Sequence, residues 1–220
     1  QYILENDWLD AIIQLSTDQF MNTGISTYIW ILSKDKPAYR AGKVQLIDAS
    51  HCYEQRRKSI GTKRNDITDL CRNLIVEAYG EYKNDAVYGD KDGIYCHSKI
   101  FGSEEFGYNK IVVERPQRDE NGEIILKKGK PVADKNLRDT ENVPLVQDID
   151  RYFEREVLPY APDAWIDKSK TKVGYEIPMT RYFYEYQPPE PVDDIVKRIK
   201  KLESEISESL NALFHKENEL

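Results

Sequence analysis

Few residues in this 220-residue chain are of a type and spacing that could do chemistry, and they fall into three groups. The first is "YEQRRKSIGTKR" (53–64), where Arg56, Arg57, Lys58, Lys63 and Arg64 surround Ser59 and Gly61 just ahead of a helix start. Cations beside free backbone N–H groups at a helix N-terminus are suited to holding phosphate. The plain alternative is a solvated connector whose charges offset acidic surroundings, and spacing alone favours the connector. The second group is the loop Phe20, Asn22, Thr23 and Gly24, set between two apolar runs. A phenylalanine there is ordinarily core, or else it stands at the end of the sheet, where α/β proteins place ligands. The third is two His/Cys pairs, His51-Cys52 and Cys96-His97. Adjacent residues on a strand point to opposite faces, so neither pair converges on one metal, and buried thiols beside surface imidazoles are expected instead. No Gly-x-Gly, Cys-x-x-Cys, His-Glu-x-x-His or nucleophile elbow occurs, and no catalytic or metal-binding residue is assigned within the chain.

Composition narrows the classes further. With 40% hydrophobic and 32% charged residues the chain has the balance of a soluble globular protein. A net charge of −7 excludes coating nucleic acid by bulk electrostatics, so any such contact needs a local basic patch. No stretch has the length of a membrane span, and no signal peptide opens the sequence. Three cysteines without framework spacing suit a reducing cytoplasm. A start at Gln1 inside a helix-to-strand run is expected of a piece cut from a longer protein.

The elements that must position these residues follow from periodicity. "LDAIIQLS" reads as a strand over about 9–15, after a helix end. "TYIWIL" (27–32) is a second strand, and its unbroken apolar run predicts burial on both faces. "KVQLIDAS" (43–50) is a third. Asn65 or Asp66 is expected to cap a helix carrying Ile67, Leu70, Leu74, Ile75 and Ala78 on one face and stopping near Gly80. "NKIVVERP" and "GEIILKK" flank Asn121-Gly122, a strong hairpin signal. "KKGKPVADKNLRDTENVP" reads as polar loop, and "VQDIDRYFEREVLPY" as a helix that Pro159 helps to end. Residues 192–214 read as a helix on which Ile195, Ile199, Leu202, Ile206, Leu210 and Leu213 recur every three or four positions. Six large aliphatics in a coiled-coil-like stripe require a cover, either this domain or another chain.

Longer blocks then add a resemblance. "LDAIIQLSTDQFMNTGISTYIWILSKDK" followed by "GKVQLIDAS" resembles the latter half of the catalytic domain in the modification (M) subunit of type I restriction-modification enzymes, which are adenine-specific DNA methyltransferases. "KSIGTKRNDI", "KIFGSEEFGYNKIVVERPQRDENGEI", "DTENVPL", "IDRYFEREVLPYAPDAWID", "KTKVGYEIPMTRYFYEYQPP" and the final helix resemble successive blocks of that family's C-terminal region, so the likeness runs over essentially the whole chain. It implies an α/β fold: the C-terminal strands of a Rossmann-like methyltransferase sheet, then an α+β region of hairpin and helices, then a long C-terminal amphipathic helix. The corresponding division is 1–52, 53–190 and 191–220.

The same resemblance places the chemistry outside this chain. The family binds S-adenosylmethionine through a Gly-rich loop after the first strand and acts through an Asn/Asp-Pro-Pro-aromatic tetrad. Neither is here, since the only Pro-Pro, Pro188-Pro189, is preceded by Gln187 and followed by Glu190. By resemblance Phe20 packs on the extruded target base, with Asn22, Thr23 and Gly24 shaping its loop. The implied partners are double-stranded DNA, the DNA-specificity (S) subunit and the restriction (R) subunit, with the C-terminal helix docking on the S subunit. Self-association of the stripe is the alternative fate. A purely protein-binding module that never touches DNA is the competing reading.

Overall fold

The computed structural model describes residues 1–186 and 188–216, and the side chains of 211–216 lie outside that description. The chain opens with α1 (Tyr2–Glu5), β1 (Leu9–Leu15), β2 (Tyr28–Leu32) and β3 (Lys43–Ala49), followed by the hairpin β4 (Glu54–Ile60) and β5 (Lys63–Asp66). Next come α2 (Asp69–Glu81), β6 (Ala86–Gly89), β7 (Tyr95–Gly102) and β8 (Gly107–Glu114). The two-residue strands β9 (Leu126–Lys127) and β10 (Lys130–Pro131) precede β11 (Asp139–Pro144) and α3 (Ile149–Glu156). Then follow β12 (Trp165–Ile166), β13 (Lys172–Tyr175), α4 (Met179–Phe183) and α5 (Val192–Lys216). Residues 1–183 and 184–220 separate into two compact units.

In the first unit, a five-stranded sheet runs β2-β1-β3-β7-β6, with β1 and β3 parallel and the other neighbours antiparallel. Its centre is apolar because β1 and β3 send side chains to two covered faces. Ile13, Leu15, Ile47 and Ala49 meet Cys71, Ile75 and Ala78 of α2 on one face. Leu9, Ile12, Val44 and Leu46 meet Leu4, Phe106 and Met179 on the other. The boundary expected near residue 52 does not end this sheet: β6 and β7, from beyond it, complete the order.

Strand β2 corrects the expectation of burial on both faces. Among the described residues it pairs only with β1, and Tyr28, Ile29, Trp30 and Leu32 are all exposed, Trp30 to 54%. Ile31 still packs against the core on the α2 side. An unbroken apolar run records that both faces suit burial, but whether anything covers them is a tertiary matter. β2 is the open edge of the sheet, and none of the devices that blunt such an edge (proline, inward charge) lies within its five residues.

A second sheet centres on β8, with β11 on one side and β12 and β13 on the other, all antiparallel. Phe153 of α3 closes a core with Ile111, Val113 and Val143. "DTENVP", expected as loop, is β11: only its Val143 is buried, so its pairing with β8 left almost no apolar signal. The Asn121-Gly122 turn forms, with Gly122 at φ +82°, but the expected hairpin is short. Ile125 N–H reaches the Gln117 carbonyl, while β8 itself has its partners elsewhere.

Helix α2 starts later than expected. Thr68, not Asn65 or Asp66, is its N-cap, and its hydroxyl accepts from Cys71 N–H. Leu70 is exposed and Ile67 precedes the helix. In the second unit, α5 runs 25 residues with Asp193 and Asp194 in its first turn, where they suit the helix dipole. Ile195 is half-buried, whereas Ile199, Leu202, Ile206 and Leu210 are exposed; the side chain of Leu213 lies outside the described residues.

Candidate nucleic-acid interface

The basic segment is not a flexible loop at a helix N-terminus. It is the twisted hairpin β4–β5, and its register shifts between Gln55 and Ile60. Its tip, Gly61-Thr62, is laid against the loop after β1 and fastened there by backbone groups. Thr62 N–H donates to the Met21 carbonyl (2.9 Å), and the Thr62 hydroxyl donates to the Phe20 carbonyl (3.0 Å). Arg64 and Asn65 N–H both donate to the Asp18 carbonyl, at 2.9 and 3.2 Å. The Lys63 ammonium reaches the Gln19 carbonyl (3.1 Å), and the Asn65 amide reaches that of Thr17 (2.9 Å). The two candidate groups, some forty residues apart in sequence, are therefore one structure.

The loop itself is a tight turn, in which Phe20 and Thr23 bridge one another around Met21-Asn22. Below it, Gln19 is buried and donates to the Ser16 hydroxyl. At Gly24 a Cβ would stand 3.0 Å from an Asp18 carboxylate oxygen, a tight contact to which that side chain can yield. Gly61, by contrast, is required. Its φ is +59°, and a Cβ would lie 2.5 Å from the Met21 carbonyl oxygen, so only glycine lets the hairpin tip seat. Phe20 is not core. It is 51% exposed, at the end of the sheet, with Asn22 and Gly24 beside it.

The five cations divide into two kinds. Arg56 and Lys63 both pair with Asp66, at 2.6 and 3.0 Å, and hold its carboxyl below the usual range, Lys63 contributing first. They stitch the hairpin together. Arg57, Lys58 and Arg64 are exposed and form no ion pair among the described residues. An exposed aromatic whose loop is braced by a hairpin carrying three uncommitted cations can stack on a base while the hairpin contacts phosphates.

The His/Cys pairs do not join this site. Cys52 and Cys96 lie together in the core under α2. The neighbouring Cys96 thiol, and then burial, push the Cys52 thiol well above its ordinary value, which makes it unreactive. His51 stacks on Tyr95, whereas His97, expected at the surface, is nearly buried against Asp85 (2.7 Å). Among the described residues no cluster of three or more His, Cys, Asp or Glu is arranged to hold a metal ion.

Sequence reasoning missed one group altogether. Asp10 of β1 and Arg40 are 3% and 4% exposed and form an ion pair at 3.2 Å. Arg40 lies over the rings of Tyr79 and Tyr82, at 4.4 and 4.1 Å from their centroids. Burial, and then its hydrogen bond to Asp10, push Tyr79 up to about 12. An aspartate inside the largely apolar "LDAIIQL" was the available signal.

The family model described as N-6 DNA Methylase matches residues 1–112, just over half of the chain. The chain belongs to the N-6 DNA methylase family. It is 35% identical over 82 residues to the type I restriction enzyme MjaIX methylase subunit of Methanocaldococcus jannaschii, covering 37% of this chain and 14% of that protein. The MjaVIII methylase subunit of the same organism is 32% identical over 106 residues, 48% of this chain and 16% of that protein. A solved type I restriction-modification methyltransferase subunit from Streptococcus thermophilus is 27% identical, with a TM-score of 0.37 over 47% of this chain and 19% of its own. The chain thus spans about a sixth of the length of the curated relatives it matches.

Proposed function

We propose that this chain is the C-terminal portion of a type I methylase subunit that moves a methyl group from S-adenosylmethionine to the exocyclic amine of adenine in DNA. Within it, residues 1–183 contact target base and DNA backbone, and α5 serves assembly with the specificity subunit, to which the restriction subunit is added. The observation that carries the reading is Phe20: exposed, at a sheet end, and braced by a basic hairpin in a chain of the N-6 DNA methylase family.

The methyl donor belongs elsewhere on this reading. Among the described residues, a cavity of about 480 Å³ beside β2 is lined by Ile3, Leu9, Ile12, Tyr28, Trp30 and Met179 among others. No acidic or basic side chain lines it, so it does not fit a ribose and a methionine zwitterion. With neither the Gly-rich loop nor the tetrad in the sequence, this supports placing donor binding and catalysis in the rest of the subunit. The open apolar edge of β2 is where further strands of the sheet would join.

A base swung out of the duplex loses its stacking neighbours, and an aromatic face restores about 1–3 kcal/mol of that. In the full-length enzyme, Phe20→Ala therefore weakens binding of a duplex with an extrahelical adenine by about tenfold or more, within that energetic range. Unchanged affinity by fluorescence titration removes the role. The hairpin cations give a separate result. Neutralising Arg57, Lys58 and Arg64 lowers the slope of log K against log salt by about 0.9 for each phosphate left without its cation. Neutralising Arg56 and Lys63 instead loosens the hairpin, because Asp66 loses its partners. An unaltered slope in the triple variant would favour the competing reading, a module that docks on the specificity subunit and never meets DNA.

A further inference from the structure

We infer that the two laced turn tips form an apolar wedge, with Met21 and Ile60 entering the space that an extruded base leaves in duplex DNA. The inference rests on the reading of Phe20 as the stacking partner of that base, and it assigns a different task to different residues.

Met21 and Ile60 sit at the tips of turns, where polar residues are the rule, yet they are 56% and 46% exposed. Neither contributes to any of the three cores of the first unit. They are nonetheless held. Thr62 N–H bonds to the Met21 carbonyl, Ile60 pairs with Lys63 across the hairpin tip, and Gly61 lets the two turns close to contact. Backbone groups do the fastening, which leaves both side chains free to enter a partner on a platform already ordered.

The charge around them selects the partner. In a chain of net charge −7, Arg57, Lys58 and Arg64 gather uncommitted on this one hairpin. An apolar tip on a hairpin that carries exposed, uncommitted cations complements a polyanion with an apolar interior, which is a base-paired duplex. An apolar protein surface would leave those cations without partners. Aliphatic side chains inserted between bases are an established means of occupying an opened step, and a methionine adapts to an irregular gap.

The test compares variants of the full-length methylase, assembled with its specificity subunit, on two duplexes. One carries the target adenine, and the other carries an abasic site in its place, which presents the gap without a base to stack. Met21→Ser combined with Ile60→Ser is expected to lose about tenfold in affinity on both duplexes, from apolar surface returned to water. Phe20→Ala is expected to lose affinity on the adenine duplex alone. Met21→Leu with Ile60→Leu should bind both as the unaltered enzyme does. If the serine pair binds the abasic duplex at full affinity, the wedge is overturned. It is equally overturned if the leucine pair fails as badly as the serine pair, since the loss would then report disturbed folding. Phe20→Ala matching the unaltered enzyme on adenine removes the stacking reading by itself, and the wedge is judged on the abasic duplex.

Discussion

If α5 docks on a specificity subunit as proposed, Leu202→Asp combined with Ile206→Asp is expected to abolish that capture, and deletion of residues 192–220 is expected to do the same. The aspartate pair places two charges on the stripe of α5, where Ile199, Leu202, Ile206 and Leu210 are exposed. Isolated helices of this length gain their stability from packing an amphipathic face, and four exposed aliphatics at coiled-coil spacing are the face on offer. Truncating a buried interface anchor costs about 2 kcal/mol or more, and burying an unpaired carboxylate in its place costs further. Two such changes exceed what a micromolar complex can lose. Co-purification and sedimentation measure the result. The three core clusters all lie within residues 1–183, so the melting transition of that unit should be unmoved by the same variants. Intact binding after the deletion refutes the assignment of α5. Sedimentation of the unaltered chain beside the aspartate pair, without the partner subunit, tests the alternative fate: a shift to monomer in the variant identifies self-association of the stripe.

The second large effect is on stability. Asp10→Ala destabilises the first unit by about 3–5 kcal/mol, because it leaves the Arg40 guanidinium buried without its counter-charge. Asp10 also accepts from the Tyr79 hydroxyl (2.5 Å), while Arg40 donates to the Tyr79 carbonyl (2.5 Å) and to Gln45 (3.3 Å). Gln45 in turn bonds the Ala78 carbonyl and Ser98. One buried network thus ties β1, β3, β7 and the end of α2 together, and removing its carboxylate orphans several members at once. Urea unfolding followed by circular dichroism reads the loss as a lower midpoint. Replacing both charges, Asp10→Leu with Arg40→Met, recovers much of it, since an apolar pair leaves no buried charge behind. A single Asp10→Ala variant that unfolds at the same midpoint would show the pair to be solvated.

These two effects differ in how far they could be read from sequence. The stripe of α5 was plain, because a helix of 25 residues repeats its pattern often enough to define a face. β1, β3 and α3 were equally legible, each a periodic apolar segment with a cap or turn beside it. β11 was not, since its order came from pairing with β8 and left one buried residue of six. Asp10 and Arg40 lie thirty residues apart and their pairing has no period.

The residues alone determined the family and the positions of its longer elements, because local periodicity and ordered blocks of residues are written along the chain. They also supplied Phe20 and the basic segment as separate candidates. Only the tertiary structure decided that the two are hydrogen-bonded into one structure, that Arg56 and Lys63 are spent on Asp66, and that β2 is an open edge. Backbone hydrogen bonds such as that from Thr62 to Met21 carry no side-chain signature. A strand's composition states which faces can be buried, but its neighbours decide whether they are.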